Sequence, residues 1–148
     1  MLRTMMNGKI HRATVTQADV NYVGSLTIDA ALMDLADILP YQEIHVLNVT
    51  NGQRMVTYAM LGERGSGVMC LNGAAARHGR PGDIIIVIAY AHIEDSASRT
   101  LRPSIVIVDE HNRPAEALPP TVTDNHNYQH VGLGATSDAT SSRAALST

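Results

Sequence analysis

Ile44-His45-Val46-Leu47-Asn48-Val49-Thr50-Asn51-Gly52-Gln53-Arg54-Met55-Val56-Thr57-Tyr58-Ala59-Met60-Leu61 is the stretch on which the fold turns. Two apolar, β-branched runs flank Asn51-Gly52, a dipeptide that tolerates the positive φ of a tight connection. The pattern predicts a hairpin, with one strand over residues 44–49, a two-residue turn, and a return strand over 53–61. Period-two alternation sets Arg54, Val56 and Tyr58 on one face of the return strand and Met55, Thr57 and Ala59 on the other. One face thus combines a cation with a phenol, which suits a carboxylate beside a proton donor. A solvent-facing Arg and a half-buried Tyr would give the same pattern.

Upstream of the hairpin, residues 1–16 read as extended, with a break at Gly8 and rough alternation from Lys9 to Thr16. A short helix is expected next, with Ile28, Leu32, Leu35, Ala36 and Leu39 on one face and Pro40 closing it. Asp29 falls near its start, where a carboxylate suits exposed backbone N–H groups. Downstream, 63–67 reads as a loop and 68–71 as a short strand. Asn72-Gly73-Ala74-Ala75-Ala76-Arg77-His78 follows as a helical turn stopped by Gly79. The unbroken apolar run 84–90 predicts a strand buried on both faces, and 104–108 a last strand. Many short strands with two short helices predict a mainly β fold, a closed barrel over about residues 1–114. Beyond it the Pro-, Ser-, Thr- and Ala-rich stretch 115–148 offers too little apolar surface to order itself and is expected to be a flexible tail. No internal repeat is visible.

Composition narrows the function. The chain has 148 residues, one domain's worth, and a net charge of −3, so it lacks the basic field that holds phosphate backbones; nucleic acid is not an expected partner. With five Tyr and no Phe or Trp, the core must be aliphatic, and any tyrosine is a candidate for its hydroxyl. A single cysteine, Cys70, excludes an intrachain disulfide and reads as a small buried residue. No segment is apolar enough for a signal peptide or a membrane helix, so a cytoplasmic protein is expected. The seven histidines show no metal-ligand spacing, and no metal is expected.

The chemical candidates are the Gly24-Ser25 bond, the Arg54/Thr57/Tyr58 group, Lys9 with His11, and Asn72-Gly73. None is diagnostic alone; a second Gly-Ser pair, Gly65-Ser66, reads simply as loop. Their surroundings are more specific. Gly8-Lys9-Ile10-His11-Arg12 and Tyr22-Val23-Gly24-Ser25-Leu26-Thr27-Ile28-Asp29 resemble the N-terminal portion of the bacterial aspartate 1-decarboxylases, the pyruvoyl-dependent aspartate α-decarboxylase family. So do Asn51-Gly52-Gln53-Arg54-Met55-Val56-Thr57-Tyr58-Ala59, Glu63-Arg64-Gly65-Ser66-Gly67 and Asn72-Gly73-Ala74-Ala75-Ala76. The blocks occur in order and at the family's spacing across about residues 1–110.

The resemblance implies a double-psi β-barrel and a homotetramer with active sites between subunits. It also implies self-cleavage: Ser25 Oγ attacks the Gly24 carbonyl, the resulting ester eliminates the 1–24 fragment, and hydrolysis leaves a pyruvoyl group on 25–148. That covalent group, with no metal and no pyridoxal phosphate, would accept the electrons released when L-aspartate loses CO₂ to give β-alanine for pantothenate biosynthesis. Carried over by position, Thr57 serves processing and substrate contact, and Arg54 grips the retained carboxylate. Tyr58 is the proton donor, and a phenol with an ordinary pKa near roughly 10 is protonated and ready at neutral pH. Gly73, Ala74 and Ala75 form the substrate-binding stretch, with Asn72 orienting substrate beside it. Lys9, His11 and Tyr22 line the cleavage site. Thr57 and Tyr58 fall on opposite strand faces, which a twist or bulge would have to reconcile. The long segment after about residue 114 departs from the pattern of the resemblance, and its role is open. Two other readings remain open: a non-catalytic small β-barrel that binds without processing, and a pyruvoyl decarboxylase for a different amino acid.

Overall fold

A computed structural model of the chain describes residues 1–115 and 129–130. Nine strands carry it: β1 Leu2–Thr14, β2 Gln17–Asp19, β3 Ser25–Asp29, β4 Glu43–Asn48, β5 Arg54–Gly62, β6 Met69–Asn72, β7 Ile84–Glu94, β8 Ser104–Ile107 and β9 Gln129–His130. Two short helices, α1 Ala30–Leu35 and α2 Asp95–Ser98, and a 3-10 helix over Gly73–His78 complete it. None of the helices among the described residues is long and apolar enough to cross a membrane.

The strands pair in the order β2-β6-β3-β5-β4-β7-β1-β8-β9. Laid flat, β2 and β1 would stand six strand spacings apart, roughly 29 Å. Yet Val15 and Thr16 alone join them, a link that spans about 11 Å at most. The sheet must therefore curl until its ends meet. Thr16 N–H donates to Met69 O at the start of β6, and Val15 N–H to Asp83 O beside β7, which ties the ends together. Four strands lie between one parallel and one antiparallel neighbour: β1 between β8 and β7, β3 between β5 and β6, β5 between β3 and β4, and β6 between β2 and β3. The fold is mainly β, a double-psi β-barrel with short helices.

Its interior is aliphatic, as the lack of Phe and Trp requires. Ile10, Leu26, Ile28, Leu32, Met33, Ile44, Met69, Leu71 and Ile85 are all buried. The break at Gly8 is a register irregularity in the β1–β7 pairing.

Several sequence expectations need correction. The hairpin exists, but its connection is longer than two residues. Asn48 N–H donates to Gln53 O, so Val49–Gly52 form the loop. Asn48 turns its own side chain inward, accepting from Thr50 and Asn51 N–H and donating to Asp83 Oδ2 at 2.8 Å. That buried anchor shapes the loop, with Gly52 at φ 77°. The expected helix around 28–39 shortens to α1, because Ile28 belongs to β3 and Leu39 is exposed. Asp29 does cap it, accepting from Ala31 N–H at 2.8 Å. The run 84–90 is not buried on both faces: Ile85, Val87 and Ala89 enter the core, while Ile84, Ile86, Ile88 and Tyr90 are half-exposed. β2 and α2 were not anticipated. The expectation for 115–148 falls outside the described residues except at Ala115 and at Gln129–His130, which pair with Ser104 and Ile105.

Candidate active site

Ser25 opens β3 in a conformation that L-residues avoid, with φ at 84°. It is 3% exposed, and its Oγ has no hydrogen-bond partner. A serine hydroxyl that is buried, unsatisfied and attached to left-handed backbone carries an uncompensated cost. Its neighbours explain what holds it there. In the β3–β6 ladder Ser25 pairs with Asn72. Tyr58, across β5, reaches the preceding residue, so that a Cβ on Gly24 would lie 3.2 Å from Tyr58 Oη. Gly73, at φ 58°, begins the 3-10 helix and packs its backbone on the same loop. A Cβ there would stand 3.2 Å from Gly24 Cα and 3.1 Å from Tyr22 O. Close approach favours glycine at both positions, most strongly at Gly73 with its positive φ and backbone neighbours, and the Gly24-Ser25 peptide sits between Tyr58 and the Asn72-Gly73 corner.

Asn72 is 2% exposed and does not cap the helix that follows it. Its Nδ2 donates to Thr27 Oγ1 at 2.8 Å, and its Oδ1 accepts from Cys70 Sγ at 3.1 Å. Burial raises the Cys70 thiol pKa, with Asp19 adding to the effect, so the sulfur keeps its proton to donate. Of the remaining small residues, Ala75 is buried and Ala74 exposed. Tyr22, an exposed ring, joins Gln17, Asp19, Thr27, Val68, Cys70 and Asn72 around a depression on this outer face.

The structure does not bring every expected residue to this place. Thr57 stays on the face opposite Tyr58, because the β4–β5 register runs without interruption from Glu43–Tyr58 to Leu47–Arg54. No bulge turns it, although both residues border a shallow depression with Tyr41, Glu43 and Val56. Arg54 shares the Tyr58 face but stands roughly 13 Å along the strand. It is exposed, and its Nη2 lies 3.1 Å from His45 Nδ1. His45 in turn stacks on Tyr90 with ring centroids 4.8 Å apart. Lys9 and His11 belong to β1, between β7 and β8, in another sector of the barrel. Burial lowers the Lys9 pKa, and burial followed by the charges of Lys9 and Arg12 lowers that of His11, whose Nδ1 is buried without a partner.

Within one chain, then, a buried serine on left-handed backbone and a tyrosine phenol flank the Gly24-Ser25 position, while the basic residues stand apart. Thr27 and Cys70 were missed in the sequence. Their cross-strand pairing is set by the β3–β6 register, and nothing local announces that register.

Comparison with known proteins fits this geometry. The family described as aspartate decarboxylase matches residues 1–115, the whole described barrel. A protein of Listeria monocytogenes named aspartate 1-decarboxylase is 53% identical over 119 residues, covering 80% of this chain and 94% of its own length. Identity of that degree across nearly all of a relative's length, on top of a family match that spans the barrel, places this chain in the aspartate decarboxylase family.

Proposed function

We propose that the chain cuts itself between Gly24 and Ser25 and then decarboxylates L-aspartate to β-alanine and CO₂, using a pyruvoyl group made from Ser25. The observation that carries this reading is Ser25 itself: buried, left-handed at φ 84°, its Oγ bonded to nothing. A free hydroxyl next to a glycyl carbonyl is poised to attack it, and leaving the peptide state releases the local backbone strain. Glycine at 24 adds no bulk at the attacked carbon. Ser25 fits the origin of that group, since its Oγ would attack as nucleophile and then leave, on elimination, as part of the Gly24 carboxylate.

A pyruvoyl ketone supplies an electron sink for decarboxylation. The chain's own side chains supply the rest. Tyr58 Oη lies beside the Gly24-Ser25 position and, being a phenol, holds a proton to deliver at the carbon that loses CO₂. The Asn72-Gly73-Ala74-Ala75 corner borders the same place and orients the substrate. Arg54 would hold the carboxylate that stays, through paired charge-assisted hydrogen bonds. Thr57, Lys9, His11 and Tyr22 are assigned to processing or to lining the site.

The separation of Arg54, Lys9 and His11 from Ser25 within one chain supports a homotetramer with sites completed by a neighbouring subunit. Exposed Val23, Leu39, Tyr41, Val56, Tyr58 and Leu61 leave apolar surface for such a contact. A cytoplasmic role in pantothenate biosynthesis accompanies the reading.

Denaturing electrophoresis of the purified chain, with an assay for β-alanine, tests it. The expected result is two fragments, residues 1–24 and 25–148, and release of β-alanine from aspartate. An uncleaved chain that is fully active would overturn it.

A further inference from the structure

The outer face of β3 and β6 carries a hydrogen-bonded series that the reaction outlined above does not use. Ser25 and Thr27 alternate along β3, Asn72 and Cys70 along β6, and the two strands pair Ser25 with Asn72 and Thr27 with Cys70. All four side chains therefore stand on one face, with Leu26, Ile28, Met69 and Leu71 beneath them in the core. On that face Asn72 is gripped at both ends of its amide. The thiol of Cys70 donates to Oδ1 at 3.1 Å, and Oγ1 of Thr27 accepts from Nδ2 at 2.8 Å. An amide can present either edge to a neighbour, and the thiol hydrogen decides which. With Oδ1 committed to sulfur and one Nδ2 hydrogen to Thr27, the amide is held in one orientation next to Ser25, its partner in the ladder. A primary amide turned the other way would lose the thiol as a donor to its oxygen and exchange the edges it offers.

We infer that Thr27 and Cys70 are positioning residues that fix the orientation of the Asn72 amide next to the reacting group at position 25. The inference rests on the proposed function for the meaning of position 25, and neither Thr27 nor Cys70 is assigned contact with substrate. Thr27 has a free hydroxyl proton once its oxygen accepts from Asn72, and the depression it lines with Tyr22 and Gln17 leaves that proton open to solvent. The lock is therefore built from one committed acceptor and one committed donor, each replaceable by a near-isostere.

The test compares pairs of variants, each assayed as kcat/KM for aspartate per cleaved chain, with the cleaved fraction read from intact mass. Thr27→Val keeps the shape and removes the acceptor; Cys70→Ala removes the donor. Each is expected to lower kcat/KM about five- to tenfold, the scale of one lost neutral hydrogen bond. Thr27→Ser and Cys70→Ser restore a hydroxyl in the same place and are expected to recover activity to within about twofold of the parent on the same scale. A purely structural role would lower the melting temperature without that pattern of loss and rescue. If Thr27→Val and Cys70→Ala both keep parental kcat/KM, or if the serine variants lose as much as their partners, the lock is refuted. An uncleaved, inactive parent would instead refute the reading of Ser25, so the two failures are distinct.

Discussion

Replacing Ser25 by alanine and by glycine is expected to give two chains that do not cleave, and their difference in stability measures the strain at position 25. Alanine keeps a Cβ at φ 84° and inherits the penalty of left-handed backbone, about 1–3 kcal/mol. Glycine escapes that penalty but loses more chain entropy on folding, about 0.5–1 kcal/mol. The net expectation is that Ser25→Gly is more stable than Ser25→Ala by about 1 kcal/mol. The hydroxyl drops out of the comparison, being absent from both. Because Oγ has no partner in the uncleaved chain, its removal leaves no orphaned donor behind. In an ordinary extended strand the sign would reverse, with glycine the less stable. Urea titration at matched protein concentration reads the result, since association would otherwise shift the midpoint. With a slope of about 1–3 kcal/mol per molar, the glycine midpoint should lie higher by roughly 0.3–1 M. An alanine variant as stable as the glycine variant, or more so, would show that no strain is held at position 25.

Other expectations follow from the same site. Tyr58→Phe should still cleave, since Ser25 is the nucleophile, but turnover of aspartate should fall by about 10²-fold or more, the usual contribution of a positioned proton donor; failure to cleave would assign the phenol to processing. Arg54→Ala should raise KM for aspartate at least tenfold with a smaller change in kcat, and an unchanged KM would remove it as the carboxylate clamp. Asp29 offers a pH test of the barrel. Burial alone would raise its pKa, but N–H donors from Gly67, Gly65 and Ala31 outweigh this and hold it below the ordinary 3.8. A carboxyl with a depressed folded-state pKa contributes stability that is full above its unfolded value and is lost as pH falls through the folded one. Asp29→Asn should therefore be less stable than the parent at pH 7, and the gap should narrow below about pH 4; a gap independent of pH would mean the charge is not what the loop binds.

What could be read without coordinates depended on how local each signal is. The alternation from Arg54 to Tyr58 and the apolar run 84–90 are set by neighbours in sequence, and both strands are present, although the run is buried on one face and not both. Asn51-Gly52 marked the connection, but its length was decided by Asn48 reaching Asp83, a contact over 35 residues that no short window contains. Ile28 fits a helical face and a strand core equally well, and pairing with β6 settled it as strand. The same limit applies at the site. Gly24-Ser25 is an ordinary dipeptide until the fold buries it and gives serine a positive φ. Neither property is announced by the dipeptide itself. Thr57 illustrates the converse. Its face was read from alternation, and the unbroken β4–β5 register keeps it opposite Tyr58, although both border one shallow depression.

Intact mass of the large fragment, taken from protein that is turning over aspartate, bears most directly on the claim that Ser25 becomes the electron-accepting group. The account expects a 25–148 chain lighter by one ammonia than a serine-initiated fragment and closed to N-terminal sequencing. A fragment of full serine mass with a free amino group, in active protein, would contradict it.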